Sequence, residues 1–326
     1  MQPFAYERAS DQAEAVRRAA EPGAQFIAGG TDLMQLMKDD VTRPARVIDI
    51  ESLPLDFVEA DGNGLRIGAL ARMADVADHA AVVQDYPVIA QALLASASPQ
   101  VRNMATIGGN LLQRTRCTYF RDTASACNKR EPGTGCSARE GLNRMHAILG
   151  GSAACVATHA SDLAVALLAL DAEIELVGPQ GAREMTLADF HLLPGDTPER
   201  ETQLLPGELI TSVRVPAATL ARRSLYLKVR DRASFEFALA SAAVALAIEG
   251  GTIRDARIAA GGVGTKPWRL PAVEKVLIGA PAKPESFRAA SAEASAGAQP
   301  LSHNGFKLPL LQNTVERALV TLGEQA

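Results

Sequence analysis

The sequence predicts an α+β fold, on three observations. The first fifty residues alternate short strand and helix signals, the pattern of a small α/β unit. From about Arg223 the character changes to β-rich segments separated by Gly and charged turns, with helical stretches after them. The chain has 326 residues, 47% hydrophobic and 21% charged, which is ordinary for a packed protein of about two or three domains.

Taken in order, Phe4-Ala5-Tyr6 is a short strand, and Ser10 can cap a helix through Ala20 that carries apolar or small residues on one face. Glu21-Pro22-Gly23 breaks that helix. Gln25 to Ala28 is a strand running into Gly29-Gly30-Thr31-Asp32, followed by a short helix, Leu33 to Lys38, and a strand, Arg46 to Ile50. A turn at Asp61-Gly62-Asn63-Gly64 leads to a strand at Leu65 to Ile67. Helices are predicted around Met73 to His79 and Val88 to Ala97. Leu163 to Leu170 reads as a helix, Glu173 to Val177 as a strand, Thr186 to Phe190 as the start of a local unit, and Thr211 to Val215 as a strand stopped by Pro216. Leu225 to Arg230, Ala238 to Ile248 and Ile253 to Gly261 are the β-rich segments. Ala272 to Leu277 and Phe306 to Leu322 look helical, and Ala289 to Ala298 is a helix or a connector. There is no internal repeat, and the domain boundary is expected between Pro216 and Arg223.

A formal net charge of −4 and a pI of about 5.8 argue against a nucleic-acid or anionic-membrane partner. The densest apolar stretches, Ala238 to Ile248 and Leu163 to Leu170, fall far short of the roughly 20 residues of a spanning helix, so no membrane insertion is expected. Met1 to Glu7 has neither the basic start nor the apolar core of a secretory signal. A soluble chain without an export signal of its own is expected.

All four cysteines, Cys117, Cys127, Cys136 and Cys155, fall in one Gly-, Pro- and Thr-rich window that favours an irregular loop. Four thiols in one stretch suggest a single coordination site, and four thiolates are what a cubane iron–sulfur cluster needs. Two disulfides fit an exported protein, but a chain of this size does not need them. Structural zinc favours close Cys-x2-4-Cys pairs, whereas the gaps here are ten, nine and nineteen positions. Unrelated buried thiols remain the bland alternative. Arg114, Arg116, Lys129 and Arg130 either offset cluster charge, are solvated, or face a partner. His146 and His159 lie near the window and read as groups behind the ligands or at the surface; His79, His191 and His303 have no partner in sequence.

Two glycine turns carry the remaining chemistry. In Phe26-Ile27-Ala28-Gly29-Gly30-Thr31-Asp32-Leu33 a strand ends in two glycines and a hydroxyl residue, so backbone N–H groups are exposed to a close-approaching pyrophosphate. The bland alternative is an ordinary strand–turn–helix corner. It is neither a Walker loop nor a dinucleotide G-x-G-x-x-G fingerprint. Thr106-Ile107-Gly108-Gly109-Asn110-Leu111 repeats the arrangement about eighty positions later, with Thr and Asn side chains as flanking donors.

Together these turns resemble the FAD-binding subunit of the molybdenum hydroxylases, the xanthine dehydrogenase family. The resemblance extends through Ser161-Asp162-Leu163, Ala169-Leu170-Asp171-Ala172, Pro206 to Ile210, Tyr226 to Arg230, and Ala259 to Gly264 with Pro267-Trp268-Arg269. It implies a vanillyl-alcohol-oxidase-type (PCMH-type) FAD-binding fold of two α/β subdomains over residues 1–218, divided as 1–55 and 56–218. A C-terminal α+β domain of the CO dehydrogenase flavoprotein type is implied over 219–326. It also implies that both glycine turns, Phe26, Ile27, Ala28, Gly29, Gly30, Thr31, Asp32 and Leu33 with Thr106, Gly108, Gly109, Asn110 and Gln113, line the FAD, with Asp162 at its sugar and Ile210 and Lys228 at the flavin.

Most members of that family run almost directly from Gly-Gly-Asn to Asp-Leu. Here Asn110 and Asp162 are 52 positions apart, so an insertion at about 112–156 holds the cysteines. In this respect the chain is similar to the [4Fe-4S]-containing subunits of bacterial periplasmic aldehyde oxidoreductase and 4-hydroxybenzoyl-CoA reductase, with Cys117, Cys127, Cys136 and Cys155 as implied ligands. The implied partners are a large molybdenum-cofactor subunit, a small [2Fe-2S] subunit and an external electron acceptor. The implied activity is electron transfer in aldehyde oxidation; the alternative is a 4-hydroxybenzoyl-CoA-reductase-like or xanthine-dehydrogenase-like assembly. The expected compartment is the periplasm by co-export with a signal-bearing partner, or the cytoplasm.

Overall fold

A computed structural model of the chain describes residues 1–324. It contains three sheets. The first is built from β1 (Ala5–Arg8), β2 (Ala24–Ile27) and β3 (Arg46–Asp49), in the order β1-β3-β2 and parallel throughout. Parallel pairing needs crossovers, which the helices Gln12–Ala19 and Leu33–Lys38 provide. The cap of the first helix is Asp11, not Ser10. Asp11 Oδ1 accepts the Glu14 N–H at 2.8 Å, and Glu14 Oε2 accepts the Ser10 N–H at 2.7 Å. Ser10 therefore lies one position outside the helix, inside a reciprocal capping box.

The second sheet has the order β4-β5-β8-β6-β7 and is antiparallel, from β4 (Val58–Asp61), β5 (Gly64–Gly68), β6 (Glu173–Gly178), β7 (Gly181–Thr186) and β8 (Leu209–Pro216). Strands β4 and β7 are absent from the sequence reading. Both are outer strands with mostly exposed, polar residues, so they carry no hydrophobic alternation to detect.

The third sheet runs β12-β11-β10-β9 and is antiparallel, from β9 (Ser224–Val229), β10 (Ala240–Glu249), β11 (Thr252–Gly261) and β12 (Trp268–Arg269). Both of its faces are covered. Ala243 and Ala245 join the core built around helix Asp162–Ala169, whereas Ala242, Val244 and Leu246 join the core under the C-terminal helix Lys307–Gly323. Burial on both faces explains why β10 reads as a continuous apolar run. Helix Asp162–Ala169 is buried at all eight positions and packs against β10, β11 and β12 of the third sheet and against helix Pro87–Ala95. The Ala/Ser-rich stretch resolves into the end of helix Pro284–Ser291 and a 3₁₀ turn at Ala292–Ser295.

The insertion is mainly irregular, with single helical turns at Thr118–Arg121 and Ser137–Glu140. Its far end docks on the C-terminal unit: the Ile148 N–H donates to Val263 O at 2.8 Å, and the Gln299 N–H to Ile148 O at 2.7 Å. Lys307 is fully buried and donates from Nζ to Met145 O (3.1 Å), His146 O (3.1 Å) and Gly262 O (2.7 Å). Three carbonyls for three N–H bonds saturate an ammonium. Lys307→Met removes all three donors and is expected to cost about 3 kcal/mol or more. Urea unfolding followed by the fluorescence of the single Trp checks this; an unmoved midpoint would mean that the latch carries no stability.

Candidate cofactor site

The first glycine loop leaves its amides open. Phe26 through Leu33 are all half-buried, and the N–H groups of Gly29, Gly30, Thr31, Asp32 and Leu33 donate to no acceptor among the described residues. Successive free amides at a strand end form a concavity suited to an anion. Gly30 has φ +67, a left-handed conformation that glycine adopts without strain. Gly29 is required for another reason: a Cβ there would lie 1.8 Å from Met104 O. The loop therefore packs directly against the segment preceding the second turn. Asp32 points away from the open amides. Its carboxylate accepts from the Arg114 N–H (2.8 Å), Arg116 Nη1 (2.5 Å) and Arg121 Nη2 (3.1 Å), tying the loop to the insertion.

The second turn is built differently, although its sequence looks like a repeat of the first. Thr106 caps the short helix Ile107–Leu111, and its Oγ1 accepts the Gly109 N–H at 3.3 Å. The Ile107, Gly108 and Asn110 N–H groups donate to Ala71 O (3.1 Å), Ala69 O (2.8 Å) and Thr106 O (2.8 Å). Asn110 is buried, and its Oδ1 accepts from Ser161 Oγ at 2.5 Å. Ser161 in turn caps helix Asp162–Ala169 by accepting the Ala164 N–H at 2.9 Å. Gln113 donates back to Asn110 O at 3.0 Å. This turn's amides hold the fold, and Gly109 is its exposed member.

Asp162, the first residue of the buried helix, is the centre of a polar cluster. Its Oδ1 accepts from Tyr226 Oη at 2.6 Å, and its Oδ2 from Ser96 Oγ (2.9 Å) and Lys228 Nζ (2.7 Å). The Lys228 side chain is 4% exposed and also donates to Ala95 O at 3.1 Å. Burial and the Asp162 charge hold the Tyr226 hydroxyl well above its ordinary pKa, so it stays a donor. Tyr226 and Lys228 share one face of β9, two positions apart; neither Tyr226 nor Ser96 was singled out from sequence. Ile210 lies in the main core, opposite Leu176 in the β6–β8 ladder.

All four cysteines are free and line one small cavity. Cys127 and Cys136 face each other across an isolated antiparallel bridge, closed by the Asn128 N–H on Gly135 O (2.7 Å) and the Gly135 N–H on Asn128 Oδ1 (2.7 Å). The sulfurs surround a space rather than a point: among the described residues, no three His, Cys, Asp or Glu side chains converge as ligands of one metal ion. Burial pushes the Cys117 thiol up to about 12 and raises that of Cys155, so the bare chain holds neutral thiols. The flanking cations are already engaged. Lys129 pairs with Glu201 (2.8 Å), Arg114 with Glu201 and Arg116 with Asp32, and Arg130 caps the carbonyls of Tyr119 and Phe120 (2.9 and 2.8 Å). A larger cleft adjoins this cavity, and Cys117 lines both. Arg116, His146, Asp162, Glu236 and Phe237 are among its walls.

His159 and His191 stack edge to face with centroids 4.4 Å apart, a pairing not expected from sequence. His191 Nε2 lies 3.1 Å from Leu111 O, and its buried Nδ1 has no partner; His159 Nδ1 accepts the Ser161 N–H at 3.3 Å. Burial brings the His191 pKa down to about 4 and that of His159 well below its ordinary value. Both are neutral in the fold, while the unfolded chain protonates them near pH 6.5. Below that pH the unfolded state binds more protons, so stability falls as pH falls, by up to about 1.4 kcal/mol per histidine per pH unit. Thermal unfolding from pH 7 to pH 5 measures the slope. His191→Gln is expected to flatten it by one histidine's share, up to about 1.4 kcal/mol per pH unit; an unchanged slope would sink the assignment.

Residues 2–218 match the family described as the FAD binding domain in molybdopterin dehydrogenase, and residues 225–322 the CO dehydrogenase flavoprotein C-terminal domain. The chain is 49% identical over 329 aligned residues to the aldehyde oxidoreductase FAD-binding subunit of Escherichia coli, covering 100% of both chains. This chain is an FAD-binding subunit of the molybdenum hydroxylase family. It is also 32% identical to the glyceraldehyde dehydrogenase medium chain of Sulfolobus acidocaldarius, over 85% of this chain and 81% of that one. Among solved structures, carbon monoxide dehydrogenase from Hydrogenophaga pseudoflava aligns with a TM-score of 0.75 at 26% identity, covering 98% of this chain and 97% of that one. The CO dehydrogenase of Oligotropha carboxidovorans shares the fold, with a TM-score of 0.77 at 24% identity over 100% and 99% of the two chains. The α+β class and the FAD-subunit resemblance read from the sequence both stand. In this FAD-binding subunit the open amides of the first loop suit the phosphates of the cofactor.

Proposed function

We propose that this FAD-binding subunit carries FAD and a [4Fe-4S] cluster as the medium chain of a heterotrimeric molybdenum-containing aldehyde oxidoreductase. In this reading it passes electrons from a large molybdenum-cofactor subunit and a small [2Fe-2S] subunit to an external acceptor. The 49% identity with the E. coli aldehyde oxidoreductase subunit supports the reaction class. The observation that carries the proposal is the single cavity closed by Cys117, Cys127, Cys136 and Cys155 within such a subunit. Four separate sulfurs around a space suit a cluster that takes one thiolate per iron. Burial raises the thiol pKa of Cys117 and Cys155, so metal binding there must release the protons.

FAD, when bound, supplies the exchange between two-electron and one-electron transfer. The chain's residues bind and orient it. Gly29, Gly30, Thr31 and Asp32 offer backbone N–H groups to the pyrophosphate, and Gly108, Gly109 and Asn110 shape the opposite wall. Asp162 lies at the sugar, and Ile210 and Lys228 flank the flavin. The proposed division is a FAD-binding part at 1–218 and a C-terminal part at 219–326, with the periplasm, reached by co-export with a signal-bearing partner, or the cytoplasm as compartment; cell fractionation distinguishes the two.

The direct test is flavin and metal analysis of the co-purified complex. About one FAD and four irons per copy of this chain, beyond those of the small subunit, are expected; absence of flavin would overturn the reading. Cys136→Ser is expected to remove the cluster iron and leave FAD in place. Undiminished iron in that variant would exclude Cys136 as a ligand.

A further inference from the structure

We propose that His146 is a positioning residue for the cluster, holding an N–H on the sulfur of Cys117 and so raising the cluster's reduction potential. This rests on the cluster reading above. His146 is 4% exposed, and its Nε2 lies 3.1 Å from Cys117 Sγ. The backbone that carries the ring is held on both sides. Its own backbone N–H donates to Asn143 O (3.0 Å), while its carbonyl accepts from Asn304 Nδ2 (3.0 Å) and Lys307 Nζ (3.1 Å). The Tyr119 ring lies 6.2 Å from it, centroid to centroid. These anchors fix the point from which the buried ring reaches the sulfur.

Proton counting decides the direction of the contact. A free Cys117 thiol has its own proton and can donate to Nε2. An iron-bound thiolate has none, so Nε2 must then carry the hydrogen, and Nδ1, which has no partner among the described residues, is left bare. That is the better state for the ring as well, because a buried Nδ1–H without an acceptor would carry the larger desolvation penalty. The nearby full charges do not compete for this role: Lys129, Arg114, Arg116 and Arg130 are engaged with carboxylates and carbonyls.

One-electron reduction adds one negative charge, shared between the irons and their thiolates. A hydrogen bond to the sulfur is stronger in that more negative state, which shifts the equilibrium toward reduction. No atom is transferred, and in the test a dithionite-type reductant supplies the electron. Because Cys117 lines both the cysteine cavity and the larger cleft, the donor acts at the wall between them.

The experiment compares the purified complex with His146→Leu, which deletes the donor, and His146→Gln, which keeps an N–H at the Nε2 position. Each is analysed for iron and FAD and then titrated with dithionite, following the cluster's own EPR signal. With iron and FAD retained, Leu is expected to lower the reduction equilibrium by tenfold or more, about 59 mV per tenfold for one electron. Gln should restore it to near wild type. Equal potentials in all three proteins would overturn the proposal, as would a Gln variant shifted as far as Leu. Loss of the iron from both variants would overturn it too, making His146 a prop for the insertion. Wild-type complex without the extra irons would overturn the cluster reading itself, and this inference with it.

Discussion

Lys228→Met is expected to destabilise the chain by about 3–5 kcal/mol, the usual cost of removing one partner of a buried ion pair. Lys228 and Asp162 pair at 2.7 Å with side chains only 4% and 7% exposed. Without the ammonium, the Asp162 carboxylate keeps Tyr226 and Ser96 as donors but loses its paired cation while its side chain is only 7% exposed. Asp162 also opens the buried helix that packs on the third sheet, so the loss should spread into the main core. Denaturant unfolding of wild type and variant measures it. The double variant Lys228→Met/Asp162→Leu is the control, since replacing both charges with apolar groups should recover part of the loss. A single-variant loss below about 1 kcal/mol, the range of exposed pairs, would show that the pair is solvated and not a keystone.

Gly29→Ala is expected to abolish FAD retention. Its Cβ would fall 1.8 Å from Met104 O, and the atom to be moved is a backbone carbonyl rather than a flexible side chain. The Met104 carbonyl also accepts from Arg72 Nη1, so it is not free to rotate. Relief must come from displacing the loop whose open amides face the ligand. A loss of about 3 kcal/mol, more than a hundredfold in affinity, is the scale of overpacking strain at a site that cannot relax. The absorbance ratio of flavin to protein after gel filtration reads it directly. Gly109→Ala is the comparison, because a Cβ there meets only the Thr106 hydroxyl at 3.0 Å and the residue is exposed. That variant should keep its fold while revealing whether the second turn touches the cofactor. Wild-type flavin content in Gly29→Ala would refute the close-packing argument.

Much of this was legible before any coordinates. The parallel unit at the N-terminus, helix Asp162–Ala169 and strands β9 to β11 are marked by runs or alternations of apolar residues. The glycine loop declares itself because a strand that ends in Gly-Gly-Thr-Asp leaves amides with nothing local to bond. Strands β4 and β7 were not legible, since an exposed edge imposes no apolar period. The two Gly-Gly turns looked equivalent and are not. Only folding shows that the second is occupied by Ala69, Ala71 and Ser161.

The sequence by itself determined what depends on neighbours along the chain: the α+β class, the open first loop, the grouping of four cysteines and the family. Tertiary structure alone decided which distant side chains meet. Tyr226 and Lys228 reach Asp162 across 64 and 66 positions, His146 reaches Cys117 across 29, and Lys307 reaches back 161 to His146. Such contacts leave no periodic trace, because each depends on buried polar groups finding hydrogen-bond partners once the apolar surfaces have closed around them.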